Sequence, residues 1–448
     1  MITKDKNFYK TFFSLFRTLV IQNVIVLSVN LADNVMIGSY SETALSGVAA
    51  VNQIQFVYNL LVVSLGDAMV VLGSQYWGKG DTKSIKKIAN GALISGVIFG
   101  VLLFIAATLF PAQLVGLFTK NPDIIAQGVE YMHLIRYTYI LFALTNLFLA
   151  ILRSVEKVKI AFYTSLLSLV INCSINYCLI KGNFGFPEMG VTGAAIGTLT
   201  ARAVELAVVI VYVFAFEKRL NLKFRELARP DRTYIKDFLI TCLPFAVVGT
   251  MFGLSTALQT VILGHLSDSA IAANSVSSTL YMVLKVASTG AASAASVVIG
   301  KTVGSGDLSK IKEYARTLQL IFVTIGILTS FALRLVKEPV LSLYNLTPET
   351  LEMARKFISI LCITCIGTAY QMPTNTGIIR GGGDTKYVLK VDIIAIWCIV
   401  LPLSFLGAFR FNWSEPLVMF CLNSDQLFKA IPAVIKANRF HWMKKLTR

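Results

Sequence analysis

One feature constrains this chain more than any other: apolar stretches long enough to cross a bilayer recur from one end to the other. A membrane-spanning helix needs about 20 mostly apolar residues, and twelve stretches approach or exceed that length. Their predicted positions are 12–38, 44–76, 88–110, 124–151, 160–181, 190–216, 238–263, 270–300, 317–336, 354–378, 388–409 and 415–436. Only 15% of the residues are charged, against about 25% in soluble proteins. The sequence therefore predicts an all-α integral membrane protein with twelve transmembrane helices.

The distribution of basic residues predicts the orientation of these helices. Cytoplasmic loops of membrane proteins collect Lys and Arg. With a cytoplasmic N-terminus, most of the 41 Lys and Arg residues fall in the N-terminal tail, the even-to-odd loops and the C-terminal tail. We therefore expect both termini in the cytoplasm. The net charge of +17 then reflects this topology and contact with anionic membrane lipids, and we expect no nucleic-acid partner.

An internal repeat predicts two related halves. VMIGSYSETAL at 35–45 aligns with VILGHLSDSAI at 261–271, and GKGDTKSIKKIA at 78–89 aligns with GSGDLSKIKEYA at 304–315. Six spans per half place both halves in the same orientation, related by a pseudo-twofold axis along the membrane normal. We expect an N-terminal six-helix lobe at 1–216, a basic cytoplasmic linker at 217–237 and a C-terminal six-helix lobe at 238–448. Two such bundles suit alternating access around a central cavity.

No motif for nucleotide hydrolysis is present. GSQYWGKG at 73–80 lacks the final Ser or Thr of a phosphate-binding loop, and ASVVIGKT at 295–302 lacks its first glycine. We expect Asp81 and Asp307 to cap the helices that follow them, and the turn RGGGDTK at 380–386 to end in a similar cap by Asp384. The cysteines and histidines show no metal-ligand spacing. The sequence predicts a transporter driven by an ion gradient, with no cofactor, rather than an enzyme.

A carboxylate inside the first span is the main candidate for ion coupling. Asp33 is the only charged residue between Thr18 and Gly38, and such a charge costs roughly 2.5 to 3.5 kcal/mol at the centre of a membrane helix. Asn30 shares its helix face. A carboxylate beside amide and hydroxyl groups suits Na⁺, whereas H⁺ needs only one desolvated carboxylate. The alternative is that Asp33 only joins neighbouring helices by hydrogen bonds.

Other polar groups in the spans have expected roles. Asn172 and Asn176 lie four residues apart in the fifth span and share a face, and Thr198 in the sixth adds a hydroxyl. Arg202 and Glu205, three apart, are expected to form a static ion pair.

The remaining charges inside the spans lie mostly in the second half. Asp425 and Lys429, four apart in the last span, are predicted to pair. Lys285 either neutralises Asp67 or Asp392 or lines the cavity, and the sequence leaves this choice open.

Several of these motifs together resemble the multidrug and toxic compound extrusion (MATE) family, and its bacterial DinF-like branch in particular. They are Asp33 before V-x-I-G, the Q-Y-x-G-x-G-D loop, N-x-x-x-N-Y in the fifth span, the F-G-x-P-E-x-G-V-x-G-A-A-I-G-T run, and L-R or I-R-G-G-G-D-T after the fourth and tenth spans. The resemblance covers the whole chain. It implies a V-shaped arrangement of two six-helix lobes that exports organic cations or amphipathic drugs in exchange for Na⁺ or H⁺.

The resemblance also implies a cation site in the N-terminal lobe, at Asp33, Asn172, Asn176 and Thr198, where Na⁺ would bind only transiently. The tenth span lacks the acid of a related branch, because Thr364 to Ile379 contains no carboxylate. We therefore expect coupling in the N-terminal lobe alone. Asn176 stands where some relatives carry aspartate, which leaves H⁺ coupling open.

Three functional hypotheses follow, of which a membrane enzyme is disfavoured because the sequence has no Asp-rich magnesium motif. The first is an antiporter for small amphipathic or cationic molecules, acting as a monomer in the bacterial plasma membrane. The second is a flippase for a lipid-linked sugar or another amphiphile, which would have a strongly cationic cavity.

Overall fold

The computed structural model describes residues 2–223, 226, 230–342, 344 and 346–448, with the backbone alone at Asp268. Parts of the predicted linker, residues 224–225 and 227–229, lie outside the described residues. The described chain is helical, and its only β-type pairing is one isolated bridge between Gly383 and Met443.

The described residues of the first half of the chain form eight α-helices. They are α1 (Lys6–Gly38), α2 (Glu42–Lys79), α3 (Thr82–Leu109), α4 (Pro111–Gly116), α5 (Pro122–Ile135), α6 (Thr138–Ser154), α7 (Lys159–Leu179) and α8 (Gly190–Val211). A π-helical turn, Tyr212–Phe216, extends α8.

The second half contains nine helices among its described residues. They are α9 (Arg232–Leu266), α10 (Asp268–Ser305), α11 (Leu308–Leu341), α12 (Pro348–Met372), α13 (Thr385–Asp392), α14 (Leu401–Phe409), α15 (Glu415–Asn423), α16 (Asp425–Phe428) and α17 (Ala430–Arg439). Two π-helical segments interrupt this half: Pro373–Ile379 follows α12, and Ile393–Val400 joins α13 to α14.

The helices account for the predicted spans. Among the described residues, eleven helical stretches are long and apolar enough to cross a membrane, and α5 with α6 makes up to twelve. The fourth predicted span is made of two helices, because α5 and α6 meet at a bend of 52°. The twelfth span is likewise divided into α15, α16 and α17. Arg136 and Tyr137 lie at the first break, and Ser424 and Lys429 lie at the two breaks of the twelfth span.

The chain divides into two compact units, each with an apolar core. The N-terminal unit comprises Ile21–Gly73 and Asp81–Ala246. The C-terminal unit comprises Met1–Val20, Ser74–Gly80 and Val247–Arg448. Large side chains such as Tyr58, Tyr139 and Met132 are buried in the first core, and Leu333, Phe357 and Ile358 in the second. The predicted lobe boundaries at 216 and 238 stay a prediction.

The sequence repeat reappears as matched helix starts. The Asp81 carboxylate accepts a hydrogen bond from the Ser84 amide at 3.0 Å, which caps α3. The Asp307 carboxylate accepts one from the Lys310 amide at 3.2 Å, which caps α11. Each cap follows a glycine in the left-handed region, with φ of 79° at Gly80 and 78° at Gly306. Both predicted caps are confirmed.

Glycines also allow α2 and α10 to touch through their backbones. Gly78 lies against the carbonyl group of Lys301, and Gly304 lies against that of Gln75. Gly78 and Gly304 lie 226 positions apart, which is the offset of the sequence repeat, and their partners Gln75 and Lys301 lie the same distance apart. The contact is therefore the same on both sides of a local pseudo-twofold axis.

The third predicted cap is absent. Asp384 precedes α13 but makes no side-chain capping bond. Its two carboxylate oxygens instead bind Lys436 and Lys444, each at 2.8 Å. Two ammonium groups are stronger partners for a buried carboxylate than a backbone amide, and they hold the C-terminal segment to this turn.

Candidate functional site

The predicted polar residues of the N-terminal unit meet around Asp33 of α1. The Asn176 side-chain amide donates a hydrogen bond to Asp33 Oδ1 at 2.6 Å. It also lies 3.4 Å from Asn172 Oδ1, and the Asn172 amide donates to the Thr198 hydroxyl at 3.3 Å. The structure thus brings together all four residues predicted for the coupling site. We call Asp33, Asn172, Asn176 and Thr198 the Asp33 cluster.

Helix geometry explains why the two asparagines converge on one carboxylate. Asn172 and Asn176 lie one turn apart on α7, so their side chains share a face. Both are almost fully buried, at 1% and 0% exposure. Gly197 of α8 leaves room for them, because a methyl group at this position would overlap the side chain of Asn176. Close packing of α7 on α8 therefore depends on the absence of a side chain at Gly197.

The electrostatics of the cluster leave Asp33 without a counter-charge. Among the residues that the structure describes, Asp33 forms no ion pair. Arg202 attracts it, but the Arg202 guanidinium is bonded to Glu205 at 2.8 Å and lies over the ring of Phe142. The predicted Arg202–Glu205 pair is therefore present. A carboxylate that is held by amides alone remains available to a cation.

One polar atom in the cluster lacks a partner. Asn176 Oδ1 is buried, and no described group donates a hydrogen bond to it. The Asn176 amide directs its N–H group toward Asp33, which suits an ionised carboxylate. Reversing the Asn176 amide would present Oδ1 to a sodium ion or to the proton of a neutral Asp33.

One predicted neighbour lies outside the cluster, and one buried residue was missed. Asn30, on the same helix as Asp33, is exposed and makes no described side-chain hydrogen bond. Tyr131 of α5 is 4% exposed and is within hydrogen-bonding reach of Thr198. A tyrosine in an apolar span is an ordinary core residue, so the sequence alone did not distinguish it. The bend after α5 was also not predicted.

The other intramembrane charges are mostly paired. Asp67 bonds Arg153 at 3.4 Å in the N-terminal unit. In the C-terminal unit, Lys429 bonds Asp425 at 2.9 Å and Asp392 at 3.1 Å. The predicted Asp425–Lys429 pair is present, with Asp392 as a third member.

Lys285 pairs with neither of its expected partners. Asp67 is bonded to Arg153, and Asp392 is bonded to Lys429. The described contact of the Lys285 ammonium is with the ring of Phe252, 5.5 Å from the ring centroid. Of the alternatives that the sequence left open, the described ion pairs include none between Lys285 and either acid, and a position lining the cavity stays a prediction.

Comparison with known proteins places the chain in a family. The family model described as MatE matches residues 19–178 and 244–406. A probable multidrug resistance protein NorM of Thermotoga maritima is 26% identical over 390 residues, which cover 86% of this chain and 82% of the relative. The multidrug resistance protein MdtK of Pectobacterium atrosepticum is 23% identical over 394 residues, covering 87% and 85%.

Solved structures share the fold. The Vibrio cholerae MATE transporter VcmN in its bent form matches with a TM-score of 0.87 and 19% identity, over 97% of both chains. An outward-facing multidrug resistance MATE transporter of the MOP superfamily matches with a TM-score of 0.88 and 18% identity, over 98% of both chains. The fold, the family model and the relatives agree, and the chain belongs to the MatE family of membrane transporters.

Proposed function

We propose that this protein is a secondary antiporter, which exports organic cations or amphipathic drugs in exchange for Na⁺ or H⁺ by alternating access. The single observation that carries this proposal is the Asp33 cluster: a membrane carboxylate held by buried amides, with no counter-charge among the described residues. The relatives NorM and MdtK, described as multidrug resistance proteins, support a drug substrate.

The chemistry of the cluster supports exchange of a cationic substrate for Na⁺ or H⁺. An ionised Asp33 attracts the substrate or the ion, and whichever binds neutralises the negative charge that would attract the other. Such competition couples the two movements, because the site releases one ligand when the other arrives. Na⁺ would take oxygen atoms from Asp33, Asn176 and Thr198, whereas H⁺ would bind Asp33 alone.

The flippase alternative is less well supported. It predicts several free cationic groups within the spans. Arg202 is paired with Glu205 and Lys429 with two carboxylates, so two of the three basic residues considered for an inward-facing role are already neutralised.

We also propose the location and assembly of the protein. It lies in the bacterial plasma membrane with both termini in the cytoplasm, and it acts as a monomer in contact with membrane lipids. The distribution of Lys and Arg supports the orientation.

Transport by purified protein in liposomes tests the function. Ethidium movement is followed while either a Na⁺ gradient or a pH gradient is imposed. We expect one of the two gradients to drive ethidium transport by the wild type but not by Asp33→Asn. This substitution keeps the size of the side chain and removes its charge.

Asn34→Ala is the matched control, because Asn34 follows Asp33 on the same helix but is exposed and makes no described contact with the cluster. It should transport ethidium like the wild type. Movement that no gradient drives, or an Asp33→Asn variant with normal coupled transport, would contradict the proposal.

A further inference from the structure

The residues that follow α17 are bound to the C-terminal unit in one position. Phe440 has a φ of 57° and turns the chain at the end of α17. The side chain of Trp442 is fully buried, and its indole N–H donates a hydrogen bond to the Ala437 carbonyl at 2.9 Å. The indole ring fills the space that a methyl group on Gly382 would occupy. A buried tryptophan ties down this segment, residues 440–448, which we call the strap.

One side of the strap is bound to the turn at 380–384. The Lys444 amide donates a hydrogen bond to the Gly382 carbonyl at 2.8 Å, and Met443 forms a β-bridge with Gly383. The Lys444 ammonium also bonds the buried carboxylate of Asp384 at 2.8 Å. A charge-assisted bond is roughly twice as strong as a neutral one. Together with the buried indole ring, these contacts make the turn the stronger attachment of the strap.

The other side of the strap holds the end of α2. The Gln75 side chain is fully buried, its Oε1 accepts a hydrogen bond from the Leu446 amide at 2.8 Å, and its Nε2 donates one to the Lys444 carbonyl at 3.2 Å. One side-chain amide thus pairs with two alternate residues, as the backbone of a neighbouring strand would. The Tyr76 hydroxyl accepts a further bond from the Arg448 amide at 3.1 Å. These bonds are neutral, so α2 is the weaker attachment.

The attachment to α2 matters because this helix is shared by the two compact units. Its residues up to Gly73 belong to the N-terminal unit, and its residues from Ser74 onward belong to the C-terminal unit. Alternating access moves one helical bundle against the other. A helix that belongs to both bundles must then bend at the boundary or release its end from one of them.

We propose that the strap is a latch that stays bound to the turn at 380–384 and releases the end of α2 in each transport cycle. This inference rests on the proposed alternating access and adds a conformational element to it. Release at α2 leaves Trp442 and Asp384 in place, and water can replace the hydrogen bonds that Gln75 and Tyr76 lose. The latch therefore opens without unfolding α17.

A reversible cross-link tests whether the strap must leave α2. The Lys79 ammonium donates a hydrogen bond to the Arg448 carbonyl, and both residues are exposed, so water can replace this bond too. Lys79→Cys with Arg448→Cys, in a chain whose native cysteines are replaced by alanine, is joined by a bifunctional methanethiosulfonate. We expect the cross-link to reduce ethidium transport by about tenfold or more, because it blocks a required conformational step, and dithiothreitol to restore transport. Unchanged transport after complete cross-linking would overturn the proposal.

The matched control joins two helices of the same unit. Glu338 of α11 and Arg355 of α12 form an exposed ion pair at 2.8 Å. Glu338→Cys with Arg355→Cys, cross-linked in the same way, should transport ethidium as it does before cross-linking. An equal loss in this control and in the strap pair would overturn a specific role for the strap.

Hydrogen exchange followed by mass spectrometry tests release without a transport assay. In phosphatidylcholine nanodiscs, residues 443–448 should be protected about tenfold less than α17 or weaker still, because the strap opens separately. The cross-link between positions 79 and 448 should raise this protection. Gln75→Met keeps the length of the side chain and removes both of its bonds, so it should lower the protection of the strap and leave that of α17 unchanged.

Equal protection of the strap and α17, or unchanged protection of the strap in Gln75→Met, would overturn the latch. Exchange needs neither ethidium nor an ion gradient. A strap that opens separately in a protein that moves no ethidium would therefore support the latch and contradict only the proposed function.

Discussion

The backbone contact between α2 and α10 makes a quantitative prediction for Gly78 and Gly304. A methyl group on Gly78 would lie 2.7 Å from the carbonyl carbon of Lys301 and 3.0 Å from its Cα atom. A methyl group on Gly304 would lie 2.7 Å from the carbonyl carbon of Gln75 and 2.9 Å from its Cα atom. The carbonyl oxygen of each partner lies closer still. Since ordinary carbon contacts lie at about 3.5 to 4.0 Å, either substitution requires the helices to separate by at least roughly 1 Å.

The energetic consequence follows from the rigidity of the partner. Backbone atoms within a helix cannot rotate away as a side-chain end can, so each alanine should destabilise the protein by about 1 to 3 kcal/mol, the usual range for overpacking. The double variant Gly78→Ala with Gly304→Ala should cost less than the sum of the two single variants. One separation of the helices relieves both overlaps, and residues in contact are not additive.

Unfolding of the purified protein by titration with sodium dodecyl sulfate in mixed micelles measures these costs. Gly66→Ala is the control in the same helix, because its nearest contact would be Ala150 Cβ at an ordinary 3.5 Å. It should be neutral or stabilising by up to about 1 kcal/mol. If Gly78→Ala and Gly304→Ala unfold with the same free energy as this control, the close contact between the two helices is refuted. If the double variant is destabilised by the full sum of the two single variants, the idea that one helix movement relieves both overlaps is refuted.

Two further predictions concern the polar sites. Gly197→Ala should displace Asn176 from Asp33 and reduce gradient-driven ethidium transport while leaving the protein folded, and transport with unchanged coupling would refute that dependence. For Asp384, burial alone would raise the pKa of the carboxyl, but its bonds to Lys436 and Lys444 hold the pKa below its usual value. The stabilisation is therefore fully present above an unfolded pKa of about 3.9 and is lost as the pH falls through the lower folded value. Between pH 5 and pH 3, the unfolding temperature of the wild type should fall further than that of Asp384→Asn, and equal falls would contradict the assignment.

Much of the fold could be predicted because lipid imposes simple rules. The spans follow from length and apolarity. The two helix caps follow from a repeated Gly-Asp pattern, because each Asp accepts a hydrogen bond from a backbone amide three residues further along. The bend between α5 and α6 could not be predicted in this way, since the stretch from 124 to 151 has the length of one span and neither Pro nor Gly lies at the bend. The breaks in the last span likewise leave its length close to that of one span.

The candidate site was predictable where partners share a helix face. Asn172 with Asn176, Arg202 with Glu205, and Asp425 with Lys429 all lie three or four residues apart, and each pair is in contact. Contacts between distant segments were not predictable from spacing.

The pairings of the remaining charges depend on which helices are neighbours. Asp67 bonds Arg153 and Asp392 bonds Lys429 across long separations in sequence, and spacing along one helix could not predict these pairs.

Competition between the coupling ion and a cationic substrate tests the role of Asp33 most directly. The affinity of the purified protein for the cation rhodamine B ethyl ester is measured over a range of Na⁺ concentrations at fixed pH, and over a range of pH without Na⁺. We expect one of the two ions to raise the apparent dissociation constant in the wild type, about tenfold for each tenfold increase once the ion saturates the site. This dependence should vanish in Asp33→Asn. Affinity that neither ion changes, or the same dependence in Asp33→Asn, would contradict exchange at Asp33.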